Sequence, residues 1–205
     1  MSINLPDQRG PWLRTSTQIA YENPWIQIHH EEVITPGGTQ GIYGVVHFKG
    51  RAVGVLPVDE QGNTWLVGQT RYTLNSFSWE IPEGGAHAGE TTLDCARREL
   101  EEEVGLCASS IEPLGQIHLS NSITDELASL YLARGLSQGQ QKLDATEDIQ
   151  VKKIPLKDAV AMALNGEITD AISVVALLKV ALTMPELMGV EAGTPLKAAA
   201  FSAVV

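Results

Sequence analysis

Seven carboxylates fall between Glu83 and Leu106 (Glu83, Glu90, Asp94, Glu99, Glu101, Glu102 and Glu103), against two guanidiniums, Arg97 and Arg98. That is −5 of the chain's net −11, packed into 24 residues. Oxygen donors in this number, with no Cys/His partner set, suit a hard divalent cation, Mg²⁺ or Mn²⁺. The pattern predicts a helix from Thr91 or Thr92 to Val104, with Gly105 just past its end. On that helix Leu93, Ala96, Leu100 and Val104 form the buried stripe. Glu99 and Glu103, four apart, share its flank, and Glu102 lies one step further round. Like charges at that spacing weaken an isolated helix, so Arg97, Arg98 or a bound divalent cation must compensate. Taken alone, an acidic helix is more often a solvated face than a metal site. The residues before it change that reading.

Read from Gly84, the segment runs Gly84, five residues, Glu90, seven residues, Arg98-Glu99-Leu100, one residue, Glu102-Glu103, one residue, Gly105-Leu106. It resembles the signature of the Nudix hydrolases at all nine constrained positions across 23 residues. The resemblance implies hydrolysis, with a divalent metal, of a nucleoside diphosphate linked to another moiety. Glycines let the loop backbone pass close to a metal-bound diphosphate, and the helix supplies carboxylates. By resemblance Glu99 and Glu103 are metal ligands, Glu102 is a ligand directly or through water, and the backbone carbonyl of Glu83 completes the set. Arg98 orients the carboxylates. The alternative for the whole motif is an inactive nucleotide-sugar binding module.

The layout from about Trp25 to Leu182 is similar to the ADP-ribose and nucleoside-diphosphate-sugar pyrophosphatase branch. Gly68-Gln69-Thr70-Arg71 matches a strand end whose arginine grips phosphate, and Trp79-Glu80-Ile81-Pro82 a segment whose glutamate contacts the nucleoside side. Glu147-Asp148-Ile149 matches a late acidic loop that lends a carboxylate to metal and water. Gly166-Glu167-Ile168 through Ala176 matches the closing helix. Trp25 is a candidate for stacking on a nucleobase. There are departures. Leu119-Ser120-Asn121-Ser122 stands where many of the branch have Ser-Pro-Gly, and Ala145 where some have a second glutamate. Val45-Val46 replaces a basic pair. The reading is therefore a Mg²⁺-dependent (or Mn²⁺-dependent) diphosphatase of ADP-ribose or another nucleoside diphosphate sugar. A nucleoside triphosphate or dinucleoside polyphosphate hydrolase is the alternative within the class. Metal-bound carboxylates are poor proton acceptors, so the catalytic base is expected outside the helix, at Glu147 or, second, Glu126.

The elements that must position these residues read as a mixed α/β or α+β sandwich; by resemblance, a Nudix α/β/α sandwich with a mixed sheet and an N-terminal β-rich extension. Strands are expected at 52–58 and 64–69, joined as a hairpin through Asp59-Glu60-Gln61-Gly62-Asn63, and at 114–118, 127–133 and 149–154. Residues 137–148 read as an exposed polar loop. Pro155 opens a short helix, and Thr169 or Asp170 caps a longer one to about Leu182. Three divisions follow: a 1–48 extension with strands led by Trp25 and by Ile42, a 49–185 catalytic domain, and a weakly specified 186–205 tail. Two strands cannot bury a core alone, so they must pack on the rest of the chain or on a second copy of it. The resemblance, in whose branch such extensions pack on or swap into the partner, implies a homodimer. Net −11 argues against nucleic acid or anionic membrane as partners. The absence of a secretory leader or a long apolar span predicts a cytoplasmic protein. Cys95 and Cys107 read as reduced thiols and not as a zinc pair. Four of the five histidines carry no assigned role; His118, at a strand end facing the acidic loops, is a minor alternative for proton transfer.

Overall fold

The computed structural model describes residues 6–143 and 148–189. Its internal contacts divide the chain into Met1–Arg51 with His118–Leu127, and Ala52–Ile117 with Ala128–Val205.

The first unit is an antiparallel sheet of β1 (Asp7–Arg9), β2 (Trp12–Glu22), β3 (Ile26–Ile34) and β4 (Gln40–Phe48), in that order. The strands led by Trp25 and Ile42 are β3 and β4. The long β2 was not expected, because its mostly exposed, polar sequence shows no apolar alternation. Two register shifts against β3, between Arg14 and Ser16 and between Ile19 and Tyr21, bend it further. Residues 119–126 are tied to β4: Val46 N–H donates to Ile123 O at 2.9 Å, and Asp125 N–H to Val46 O at 3.2 Å.

The second unit holds β5 (Ala52–Pro57), β6 (Asn63–Arg71), β7 (Ser76–Glu80), β8 (Glu83–Gly85), α1 (Thr92–Val104), β9 (Leu106–His118), β10 (Leu127–Gln138), β11 (Gln150–Pro155), α2 (Leu156–Asn165) and α3 (Ala171–Thr183). Strands β8-β5-β10-β9 form one sheet and β11-β6-β7 another. The expected 52–58/64–69 hairpin is corrected here. β5 and β6 share a single bridge, Val58 to Thr64, and enter different sheets. The turn residues explain the break. Buried Asp59 accepts the N–H groups of Gln61 (3.0 Å) and Asn63 (2.8 Å), closing a local turn while β5 pairs in parallel with distant β10.

Strand β5 is covered on both faces. Val53 and Val55 pack with Cys95, Ala96, Leu100 and Val104 of α1. A side chain at Gly54, pointing the other way, would collide with Ile172 of α3. Helix, sheet and helix thus form the layers of an α+β sandwich around β5. Helix α1 begins and ends where the sequence predicts, with the Thr91 hydroxyl accepting from Asp94 N–H and Gly105 as its cap. Both cysteines are free. Among the described residues no helix is long and apolar enough to cross a membrane.

Candidate active site

Strand β8 and helix α1 bring the box residues together around two arginines. Arg98 is the hub of the first group. Its Nε and Nη2 donate to the two Glu90 oxygens at 2.9 and 3.0 Å, and Nη2 also donates to Gly85 O at 3.0 Å. Nη1 donates to Glu99 Oε1 at 2.7 Å and to Glu102 Oε2 at 3.0 Å. One guanidinium therefore fixes the loop, the box glutamate and two helix carboxylates at once. Its bonds hold Glu90 down at about 2. Burial, then the neighbouring Glu99, pushes the Cys95 thiol up to about 12, so that sulfur is a packing group.

Gly84 lies against Glu99. A Cβ there would stand 2.1 and 2.8 Å from the two Glu99 oxygens, so the loop backbone reaches the carboxylate only because Gly84 has no side chain. Glu103 Oε2 accepts the Glu83 N–H at 2.8 Å. Glu99 and Glu103, on the flank of the buried stripe of α1, are themselves only 6% and 1% exposed. Helical periodicity assigns polar residues to the outside, whereas here the glycine loop folds over them.

The second arginine, Arg71, donates from Nε to both oxygens of buried Glu80 at 3.0 Å, and from Nη2 to Glu80 and, at 2.8 Å, to Glu83 Oε1. These partners raise its already high pKa against the opposing effect of burial. Burial first, then Asp170 and Glu80, holds the Glu83 carboxyl well above the usual range despite Arg71, and Glu83 Oε2 is buried without a hydrogen-bond partner. Asp170 was expected only as a helix cap, which it is, accepting Ser173 N–H at 2.7 Å. Its approach to Glu83, and the Glu83 side chain itself, left no signal in local sequence.

The cluster thus holds seven carboxylates (Glu80, Glu83, Glu90, Glu99, Glu102, Glu103, Asp170) against Arg71 and Arg98 among the described residues. Excess buried negative charge requires protons or a cation. An all-oxygen donor set, a glycine cradle and an orphaned carboxylate oxygen fit a hard divalent ion.

Of the remaining expected residues, Glu147 (with Ala145) lies outside the described residues. The loop leading to it is anchored on α1: Gly139 N–H donates to Gly105 O (2.8 Å), Gln141 Nε2 to Glu103 O (2.6 Å) and Lys142 N–H to Glu102 O (2.9 Å). Trp25 and Glu126 belong to the first unit. Trp25 is 72% exposed in the turn between β2 and β3, and Glu126 N–H donates to Thr124 Oγ1 at 3.0 Å.

The fold and the box define a class: an α+β hydrolase scaffold presenting a glutamate helix behind a glycine loop. The profile described as "NUDIX domain" matches residues 48–175, and one described as "Nucleoside diphosphate sugar hydrolase N-terminal domain" matches 12–46. Curated relatives include an ADP-ribose pyrophosphatase of Bacillus subtilis, 34% identical over 71% of this chain and 80% of that protein. An ADP-ribose pyrophosphatase of Mycobacterium tuberculosis is 33% identical over 80% of this chain and 81% of that one. A solved structure titled "Crystal structure of ADP compounds hydrolase" superposes with a TM-score of 0.74 at 19% identity, covering 82% of this chain and 90% of the other, which shows the shared fold. The chain belongs to the Nudix family, as a pyrophosphohydrolase.

Proposed function

We propose that this enzyme splits the diphosphate of a nucleoside diphosphate sugar into a nucleoside monophosphate and a sugar phosphate, with Mg²⁺ as the metal and Mn²⁺ able to replace it. ADP-ribose is the first substrate to try, since the two relatives above carry that activity in their names. The observation that carries the reading is the intact nine-position box, whose Glu90, Glu99 and Glu102 are all bonded to Arg98, in a chain whose residues 12–46 match the nucleoside-diphosphate-sugar hydrolase profile.

The roles follow the chemistry of each group. Glu99, Glu102, Glu103 and the backbone carbonyl of Glu83 would hold the cation. When bound, such an ion neutralises diphosphate charge and makes water a better nucleophile. Arg71, 35% exposed and clamped by Glu80 and Glu83, offers its guanidinium to phosphate. Glu80 and Trp25 serve the nucleoside side. Glu147 takes the proton of the attacking water as the anhydride P–O bond breaks, and Glu126 is the second choice. The anchoring of residues 139–142 on α1 supports Glu147, because that short tether hangs its loop from the helix bearing the ligands.

The protein works as a homodimer. Ile19, Tyr21, Trp25 and Ile42 of the first unit are 51, 54, 72 and 69% exposed, an apolar load that a second copy would cover. Its free thiols suit the reducing cytoplasm. Nucleic acid and membrane are not its partners, on the strength of the net −11. Incubation with Mg²⁺ and a panel of ADP-ribose, GDP-mannose, UDP-glucose, dinucleoside polyphosphates and deoxynucleoside triphosphates tests the substrate class. The highest kcat/KM should fall on a nucleoside diphosphate sugar. Preference for a triphosphate or dinucleoside polyphosphate overturns it.

A further inference from the structure

The first unit carries a second constellation, built entirely from its own residues. His29 and Glu31 lie two apart on β3 and so project from one face of the sheet. The β3–β4 register pairs His29 with Val45 and Gln27 with His47, which puts His47 on that face as well. One ligand atom from each of His29, Glu31 and His47 lies within 4.8 Å of the others. The two imidazoles meet edge to face with centroids 4.3 Å apart.

The hydrogen bonds of each ring decide which nitrogen keeps a lone pair for a metal. His47 Nδ1 lies 2.5 Å from Asp125 Oδ2, and a carboxylate only accepts, so the neutral ring carries its proton on Nδ1 and its lone pair on Nε2. Asp125 is itself fixed by the Phe48 N–H at 3.0 Å. His29 Nε2 faces Gln27 Oε1 at 3.2 Å, another acceptor, which leaves Nδ1 as its lone-pair nitrogen. That nitrogen is on the side of the Thr17 hydroxyl (3.4 Å), which also reaches Glu31 Oε1 (3.5 Å). Glu31 is buried, bound through Oε1 by Arg14 Nη1 at 2.6 Å, with Arg9 4.0 Å from Oε2. Asp7 neutralises Arg14 from its other side at 2.8 Å. Counting Asp7, Glu31 and Asp125 against Arg9 and Arg14, the surroundings keep one negative charge.

Metal-binding histidines characteristically donate the outer N–H to a carboxylate or carbonyl, which sets tautomer and ring angle. Both rings here do so. We propose that His29, Glu31 and His47 form a binding site for a borderline divalent cation, Zn²⁺ above all, distinct in residues and in chemistry from the box. Two imidazoles and a carboxylate are the protein ligands of a three-ligand zinc site, with the fourth position left to water. Hard Mg²⁺ has no preference for imidazole. Tetrahedral bonds of about 2.0–2.2 Å put ligand atoms roughly 3.4 Å apart, so the three close by at most about 1.4 Å, a side-chain rotation.

The test uses the whole chain, stripped with chelator and dialysed against Zn²⁺ in a large excess of Mg²⁺, with Co²⁺ as an optical stand-in. One Zn²⁺ per chain should be retained, and Co²⁺ should give visible ligand-field bands that Zn²⁺ abolishes. His29→Asn and His47→Asn should weaken binding by about 100-fold or more. Asp125→Asn, which touches no metal, should weaken it by about 10- to 100-fold. The double variant Glu99→Gln/Glu103→Gln should bind as before. Asp125 is a surface residue, so its variant decides the matter if a histidine variant fails to fold. Absence of Zn²⁺ binding under Mg²⁺, or unchanged affinity in Asp125→Asn, overturns the proposal. Loss of the Zn²⁺ in the box double variant overturns it too, by placing the ion in the box.

Discussion

Replacing Glu103 by Gln isolates the charge of one buried carboxylate. The side chain is 1% exposed and its Oε2 accepts the Glu83 N–H at 2.8 Å, the residue whose carbonyl is a proposed ligand. A glutamine oxygen can still accept that N–H, so what is lost structurally is charge assistance, about 1 kcal/mol. Removing one negative charge from a cluster of seven carboxylates and two guanidiniums offsets part of this. Net destabilisation should therefore stay near 1 kcal/mol, and Tm should fall by no more than about 4 °C for a chain of this size. Glu103→Ala is the contrast. It strips the acceptor from a buried N–H, costs roughly 1–3 kcal/mol for that alone, and leaves a cavity. Turnover responds differently, because loss of one preorganised electrostatic contact costs at least ~10² in kcat. Steady-state kinetics across a Mg²⁺ titration, with a melt of the same sample, separates the two effects. Near-normal turnover of Glu103→Gln at limiting Mg²⁺ would refute the assignment. A loss of activity that merely tracks the unfolded fraction would also refute it.

Three further outcomes are expected. Arg98 holds Glu90 at about 2 against an ordinary 4.5, so this pair adds stability that is complete above about pH 4.5 and is lost as pH falls toward 2; Arg98→Met should flatten that part of the acid unfolding curve, measured by circular dichroism, and an unchanged curve contradicts the network. Glu147→Gln should lower kcat by ~10² or more with little change in KM, as general-base loss does; a loss confined to Glu126→Gln moves the base there, and no loss in either excludes both. Light scattering at micromolar concentration should give about twice the 22.1 kDa of one chain, and a stable, active monomer rules out the dimer.

The box helix was legible because both of its ends are local chemistry: a threonine hydroxyl that caps the start and a glycine that stops it. The nine box positions are likewise a one-dimensional pattern. What sequence could not supply depends on pairing across long separations. The parallel partner of β5 is β10, more than 70 residues away, so the turn at 59–63 invites a hairpin that does not form. Burial of Glu99 and Glu103 depends on where the Gly84 loop folds, and periodicity alone sends glutamates outward. Asp170 meets Glu83 only because α3 starts beside β8, and the histidines of β3 and β4 converge only through strand register. In each case the missing information was tertiary.

The most direct measurement is phosphorus NMR of ADP-ribose incubated with the enzyme and Mg²⁺. The paired diphosphate resonances should be replaced by two monophosphate resonances in equal amounts, from the nucleoside monophosphate and the sugar phosphate. Chelator should prevent the change, and Glu103→Gln should slow it by at least ~10². If ADP-ribose and the other nucleoside diphosphate sugars keep an intact diphosphate with either Mg²⁺ or Mn²⁺ while the protein remains folded, the account is wrong.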